Sequence, residues 1–142
     1  MPDEAIEALM QDSGLIRHWG KLRSVRDNAA ALAALSAAEG GFGRWLAAWP
    51  GTRITELWDE LGRRFTQMGG DSAPRFLRMD GKDSFIITPS VTAALIEHGL
   101  IAAAPKGKAG RALVQQRFNE WAAETGRPLA HLSMILAATV TE

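Results

Sequence analysis

Apolar residues recur at intervals of three and four along almost the whole chain, and glycine or proline stands wherever the pattern breaks. That period is the helical one, and little room is left for strands. Ile6, Leu9 and Met10 share one face of a short first helix. Leu22, Val25, Ala29, Leu32 and Leu35 mark a long Ala-rich second helix ending at Glu39-Gly40-Gly41. A short element from Phe42 to Trp49 stops at Pro50-Gly51, and Ile54, Leu57, Trp58, Leu61 and Phe65 then define a strongly amphipathic helix, expected to be capped by Thr52 or a residue nearby. Gly69-Gly70-Asp71 breaks the chain and Ser72-Ala73-Pro74 restarts it, with Ser72 expected at the N-cap.

Gly81 closes that helix, and Ser84-Phe85-Ile86-Ile87 is an apolar connector. Thr88-Pro89 opens the next helix, whose inward residues are Val91, Ala94 and Leu95 and whose end is Gly99. Ala104 to Gly110 reads as a loop. Val114, Phe118 and Trp121 mark a further helix stopped by Gly126, and Pro128 starts a last one carrying Leu129, Leu132 and Leu136. The expectation is an all-α domain of seven or eight helices spanning 1–142, without repeats or a linker.

Composition narrows the chemistry. At 142 residues and 46% hydrophobic, the chain is long enough for a core without disulfides or metals. It has no cysteine, which removes thiolate-held zinc, iron–sulfur clusters and a thiol nucleophile. His18, His98 and His131 are scattered and do not suggest a metal site. No apolar run approaches the length of a membrane span, and the N-terminus lacks the order of a signal peptide, so a soluble, cytoplasmic protein with no membrane partner is expected.

Sixteen basic and sixteen acidic residues give zero formal charge, which argues against a phosphate backbone as partner until the distribution is considered. Residues 1–12 hold Asp3, Glu4, Glu7 and Asp12 and no base, whereas residues 61–119 hold nine bases against four acids. A charge run of this kind is most often a solvated face; the sharper reading is a phosphate-facing surface.

The basic stretch contains the most informative segment, Leu61 to Ala73. An amphipathic helix runs into a Gly turn and directly into another helix N-terminus, a place where free amides can hold an anion. Arg75, Arg78 and Lys82 lie within the following turns. As a lone motif this is weak, because most Gly-Gly turns between helices are only turns.

Gly69-Gly70-Asp71-Ser72-Ala73 resembles the second half of the Gly-x-Gly-x-x-Thr/Ser-Ala hairpin of the helix-hairpin-helix DNA glycosylase superfamily, with Gln67 in place of the first glycine. The stretch from Met1 to Leu22, with Ile16-Arg17-His18-Trp19-Gly20-Lys21 and then Asn28-Ala29, is similar to a block of the 3-methyladenine DNA glycosylase I family. The tail, Phe118-Asn119-x-Trp121 and Gly126-Arg127-Pro128-Leu129, is similar to proteins of the wider group.

The resemblance implies an all-α glycosylase-like bundle with a helix-hairpin-helix at about 54–80. It implies damaged double-stranded DNA as partner, base-excision repair by N-glycosidic hydrolysis, and DNA-backbone contacts at Gly69, Gly70, Asp71, Ser72, Ala73, Arg75 and Lys82. It also implies a monovalent cation at the hairpin; zinc, which the nearest family carries on cysteine and histidine, is excluded by the missing cysteines.

Departures from the family are equally informative. Thr88 stands where most of the superfamily places an aspartate, and a neutral hydroxyl does not stabilise a cationic sugar. The base-pocket residues of the nearest branch precede the block with which this chain begins. The chain therefore looks like the C-terminal two-thirds of such a protein, a fragment or a natural short form, with little or no turnover of its own and no catalytic residue identified. His18 is a weak pocket-edge candidate whose commoner role is capping or packing. Lys21 is assigned to the surface or to phosphate.

Trp45, Trp49 and Trp58 are assigned to the core, His98 to a helix C-terminal cap, His131 to ordinary packing, and Glu56, Asp59 and Glu60 to a solvent face. Two rival readings remain beside the glycosylase one. The first is a non-catalytic DNA- or protein-binding module that keeps only the hairpin. The second is a helical protein-interaction domain that self-associates into a weak homodimer.

Overall fold

The computed structural model describes residues 1–140. Eight α-helices follow in order: α1 (Asp3–Leu9), α2 (Trp19–Glu39), α3 (Phe42–Ala48), α4 (Ile54–Arg64), α5 (Ser72–Met79), α6 (Pro89–Glu97), α7 (Gly107–Thr125) and α8 (Leu129–Ala138), with a 3-10 turn at Gly51–Arg53 before α4. Among the described residues there is no strand, and no helix is long and apolar enough to cross a membrane. The protein is all-α, as the periodicity predicts.

The buried positions of α4 form the centre of the core. Ile54, Leu57, Trp58 and Leu61 are shielded by Leu77 of α5, Val91 and Leu95 of α6, Val114 and Phe118 of α7, and Leu129, Leu132 and Leu136 of α8. The apolar connector between α5 and α6 passes through this core rather than over it. Its polar atoms find partners there: Trp58 Nε1 donates to Ser84 Oγ at 3.1 Å, Ser84 Oγ donates to the Phe85 carbonyl at 2.8 Å, and Ser133 Oγ lies 3.4 Å from both the N and the O of Ile86. Two serine hydroxyls thus meet the Phe85 carbonyl and both backbone groups of Ile86 inside the core.

Several helix boundaries differ from expectation, each for a local reason. Neither Thr52 nor Ser72 caps a helix. Arg53 and Asp71 occupy the N-cap positions of α4 and α5, and neither side chain caps. The expected loop of 104–110 ends early, because α7 begins at Gly107. Gly110 lies inside that helix, where a Cβ would stand 3.1 Å from the Pro105 backbone, so the glycine serves close packing and not a turn. His131 is exposed, not packed.

The second helix departs furthest from a standard amphipathic element. Only Leu35 of α2 is buried, whereas Val25 is 69% exposed and Leu32 38%. The spacing correctly marks a helix, but its apolar stripe is largely uncovered.

Candidate functional site

The Gly turn joins α4 to α5 through residues 65–71. Helix α4 ends because Phe65 leaves the helical region (φ −123°, ψ 145°) and drops its ring into the core. Backbone φ is positive at Gln67 (62°) and at Gly70 (59°). Gln67 holds the left-handed conformation, which costs an L-residue about 1 kcal/mol. Gly70 adopts it freely.

None of the backbone N–H groups from Gln67 to Asp71 donates a hydrogen bond within the described residues; the Ser72 amide closes the turn on the Gly69 carbonyl at 3.2 Å. Gln67, Gly69, Gly70, Asp71 and Ser72 are exposed, and Ala73 is buried beneath them. An exposed turn with several unpaired donors at the start of an eight-residue helix has the chemistry to hold an oxyanion. The Asp71 carboxylate opposes that tendency. Exposed Arg75 and half-buried Arg78 favour it, and neither forms an ion pair among the described residues.

A cleft of about 500 Å³ adjoins the turn. Met68, Gly69, Gly70 and Asp71 of the turn line it together with Trp58, Asp59 and Gly62 of α4 and with Ile87, Pro105 and Arg111. Within it Arg111 Nη2 donates to Asp59 Oδ1 at 2.6 Å, so Asp59 belongs to a half-buried ion pair and not to the expected solvent face. Glu56 and Glu60 are likewise engaged. Arg53 Nε meets Glu56 Oε2 at 2.6 Å, and hydrogen bonds from Arg64 and then Arg63 hold the Glu60 carboxyl below its usual pKa.

These pairs thin the basic surface. Of the nine bases in 61–119, Arg63, Arg64 and Arg111 are bound to acids of α4, and Arg117 is bound to Glu120. Lys82 donates to the carbonyls of Trp49 and Ala47, and burial lowers its ammonium pKa, so this half-buried ammonium is held at the end of α3. Arg75, Arg78, Lys106 and Lys108 remain.

Thr88 caps α6: its Oγ1 accepts from the Val91 amide at 3.1 Å, with Pro89 at the first helical position. The Thr88 hydroxyl therefore has a structural use here. Thr88→Ala is expected to lower stability by about 1 kcal/mol, and Thr88→Asp to leave it within a few tenths, since both Thr and Asp cap well. Urea midpoints of the two variants check this.

His18 is the N-cap of α2, its Nδ1 accepting from the Lys21 amide at 3.1 Å. His98 ends α6 with Nε2 3.1 Å from Thr139 Oγ1. Trp58 is buried and Trp45 and Trp49 are half-buried against the core. Among the described residues no cluster of histidine and carboxylates is arranged to hold a metal.

The pairing of Asp59 with Arg111 and the contact of Asn28 with the turn were not legible in the sequence. Partners 52 and 38 residues apart leave no local spacing signal. Comparison with family models, with curated proteins and with solved structures found no match.

Proposed function

We propose that the chain binds the phosphate backbone of duplex DNA through the α4–turn–α5 segment, as a helix-hairpin-helix module of the 3-methyladenine glycosylase I type. The observation that carries this reading is the exposed turn itself. It has positive φ at Gln67 and Gly70, and its run of amides finds no partner in the protein. Arg75 and Arg78 add charge on the following helix, and a monovalent cation at the turn carbonyls belongs to the same reading. Thr88 stands where most of the superfamily has an aspartate. The 3-methyladenine I branch lacks it as well and relies on base-pocket residues, and the 142-residue chain is read as binding DNA with little or no base release.

Binding to a fluorescent duplex is expected to weaken as salt rises, with a log–log slope of about 2–3 if two or three phosphates are neutralised. Gly70→Val, which forces a β-branched residue into positive φ, is expected to weaken binding about tenfold on every sequence alike. No duplex affinity at 50 mM salt, or equal affinity of the variant, would sink the reading. Robust base release from alkylated duplex would overturn its non-catalytic part.

One observation favours the helical interaction module as a second reading. Val25, Ala29 and Leu32 of α2 face Phe42, Phe65, Met68 and Phe76 across an open apolar groove of about 330 Å³. That reading requires a mass that rises with concentration in sedimentation, whether or not DNA binds.

A further inference from the structure

We infer that Asn28 is the positioning residue of the turn, setting from α2 the backbone geometry through which residues 67–71 meet an oxyanion. Asn28 Nδ2 donates to the Thr66 carbonyl at 2.9 Å, and the Thr66 amide donates to Asn28 Oδ1 at 2.7 Å. The Thr66 hydroxyl also donates to Oδ1, at 3.2 Å. One carboxamide thus satisfies both backbone groups of the residue directly before the left-handed Gln67, as a neighbouring strand would.

The turn has little of its own to fix it. Among the described residues its only internal backbone bond runs from the Ser72 amide to the Gly69 carbonyl, and Gln67 adopts an unfavourable φ without a glycine's freedom. A conformation that local sequence disfavours persists only where its surroundings impose it. Here the surroundings are Phe65, anchored in the core on one side, and the Asn28 carboxamide on the other.

Only an amide serves this role. Aspartate keeps the acceptor for the Thr66 N–H but sets a carboxylate oxygen against the Thr66 carbonyl, and alanine supplies neither group. Because the contact is close to solvent, water replaces it at small cost to global stability. The loss falls on the order of the turn, and so on any ligand that needs it preformed.

The part of this inference that concerns DNA rests on the reading proposed above. The test combines amide hydrogen exchange, followed by NMR, with duplex affinity for the wild type, Asn28→Ala, Asn28→Asp and Gly70→Val. Asn28→Ala is expected to lose protection at the Thr66 amide and to bind duplex about 5- to 10-fold more weakly. Its unfolding midpoint is expected to stay within about 4 °C of the wild type. Asn28→Asp is expected to retain Thr66 amide protection, which a general loss of packing would not permit. Added to Gly70→Val, Asn28→Ala is expected to cause no further loss of affinity, since both act on one turn.

Unchanged exchange at Thr66 in Asn28→Ala overturns the inference. So does full affinity of Asn28→Ala while Gly70→Val fails, which leaves the DNA reading standing. A wild-type chain that binds no duplex overturns the functional reading and the part of this inference that concerns DNA, while Thr66 exchange in Asn28→Ala decides the positioning of the turn.

Discussion

Truncating Phe85 to alanine is expected to destabilise the protein by about 3–5 kcal/mol, the range for emptying a large aromatic site in a packed core. Phe85 is fully buried in the connector between α5 and α6. Its ring stacks on Phe118 with centroids 4.2 Å apart and planes 3° from parallel, and meets the edge of Trp58 at 5.0 Å. Those contacts join α4, the connector and α7. Removing the ring opens a void at the point where the three meet.

A domain of this size is stable by roughly 5–15 kcal/mol, so a loss of that magnitude leaves a small margin. Urea unfolding followed by tryptophan fluorescence measures it directly, because Trp58 touches the truncated ring. A loss below about 1 kcal/mol would mean that the connector is not seated in the core as described.

Replacing Gln115 with leucine is expected to cost about 2–4 kcal/mol, although the new side chain is apolar and similar in size. Gln115 is a buried polar residue of α7. Its Oε1 accepts from the Thr55 amide at 3.1 Å, and its Nε2 donates to the Gly51 carbonyl at 3.2 Å and to Asn119 Oδ1 at 2.8 Å. Asn119 Nδ2 in turn donates to the Thr52 carbonyl at 2.9 Å.

Helix α4 has no capping side chain of its own, and the pair Gln115–Asn119 supplies that function from across the core. Leucine would leave the buried Thr55 N–H without a partner, the costly half of the change. Gln115→Glu keeps the acceptor and is expected to lose less. Denaturation midpoints of the two variants isolate the acceptor for the Thr55 amide, since neither changes the volume much; equal midpoints would remove the capping argument.

The same device recurs at α8. Pro128 precedes that helix and cannot cap it, and Asp83 reaches over from the connector to accept from the Leu129 and Ala130 amides at 2.8 and 2.9 Å. Neither Gln115 nor Asp83 stands out in the sequence, because each acts on a helix start 46 to 60 residues away. Thr88 and His18 were legible as helix starters because their partners are three residues on.

The candidate site divides in the same way. The break at Gly69-Gly70 and the unusual Gln67 are visible in the chain, while Asn28, Asp59 and Arg111 become neighbours of the turn only on folding. Charge counting alone overstated the basic surface, because five of its nine bases turn inward or pair with acids.

The spacing of apolar residues and the placing of glycine and proline determined the helical class, the eight helices and the turn between α4 and α5, because a helix repeat and a left-handed residue are local properties of the backbone. Tertiary structure decided which apolar stripes are covered, which charges remain free and which side chains complete the helix ends. Val25 and Leu32 repeat as regularly as Leu57 and Leu61, yet only the second pair is buried. Burial and pairing depend on what the rest of the chain brings alongside, and no periodicity within a helix encodes that.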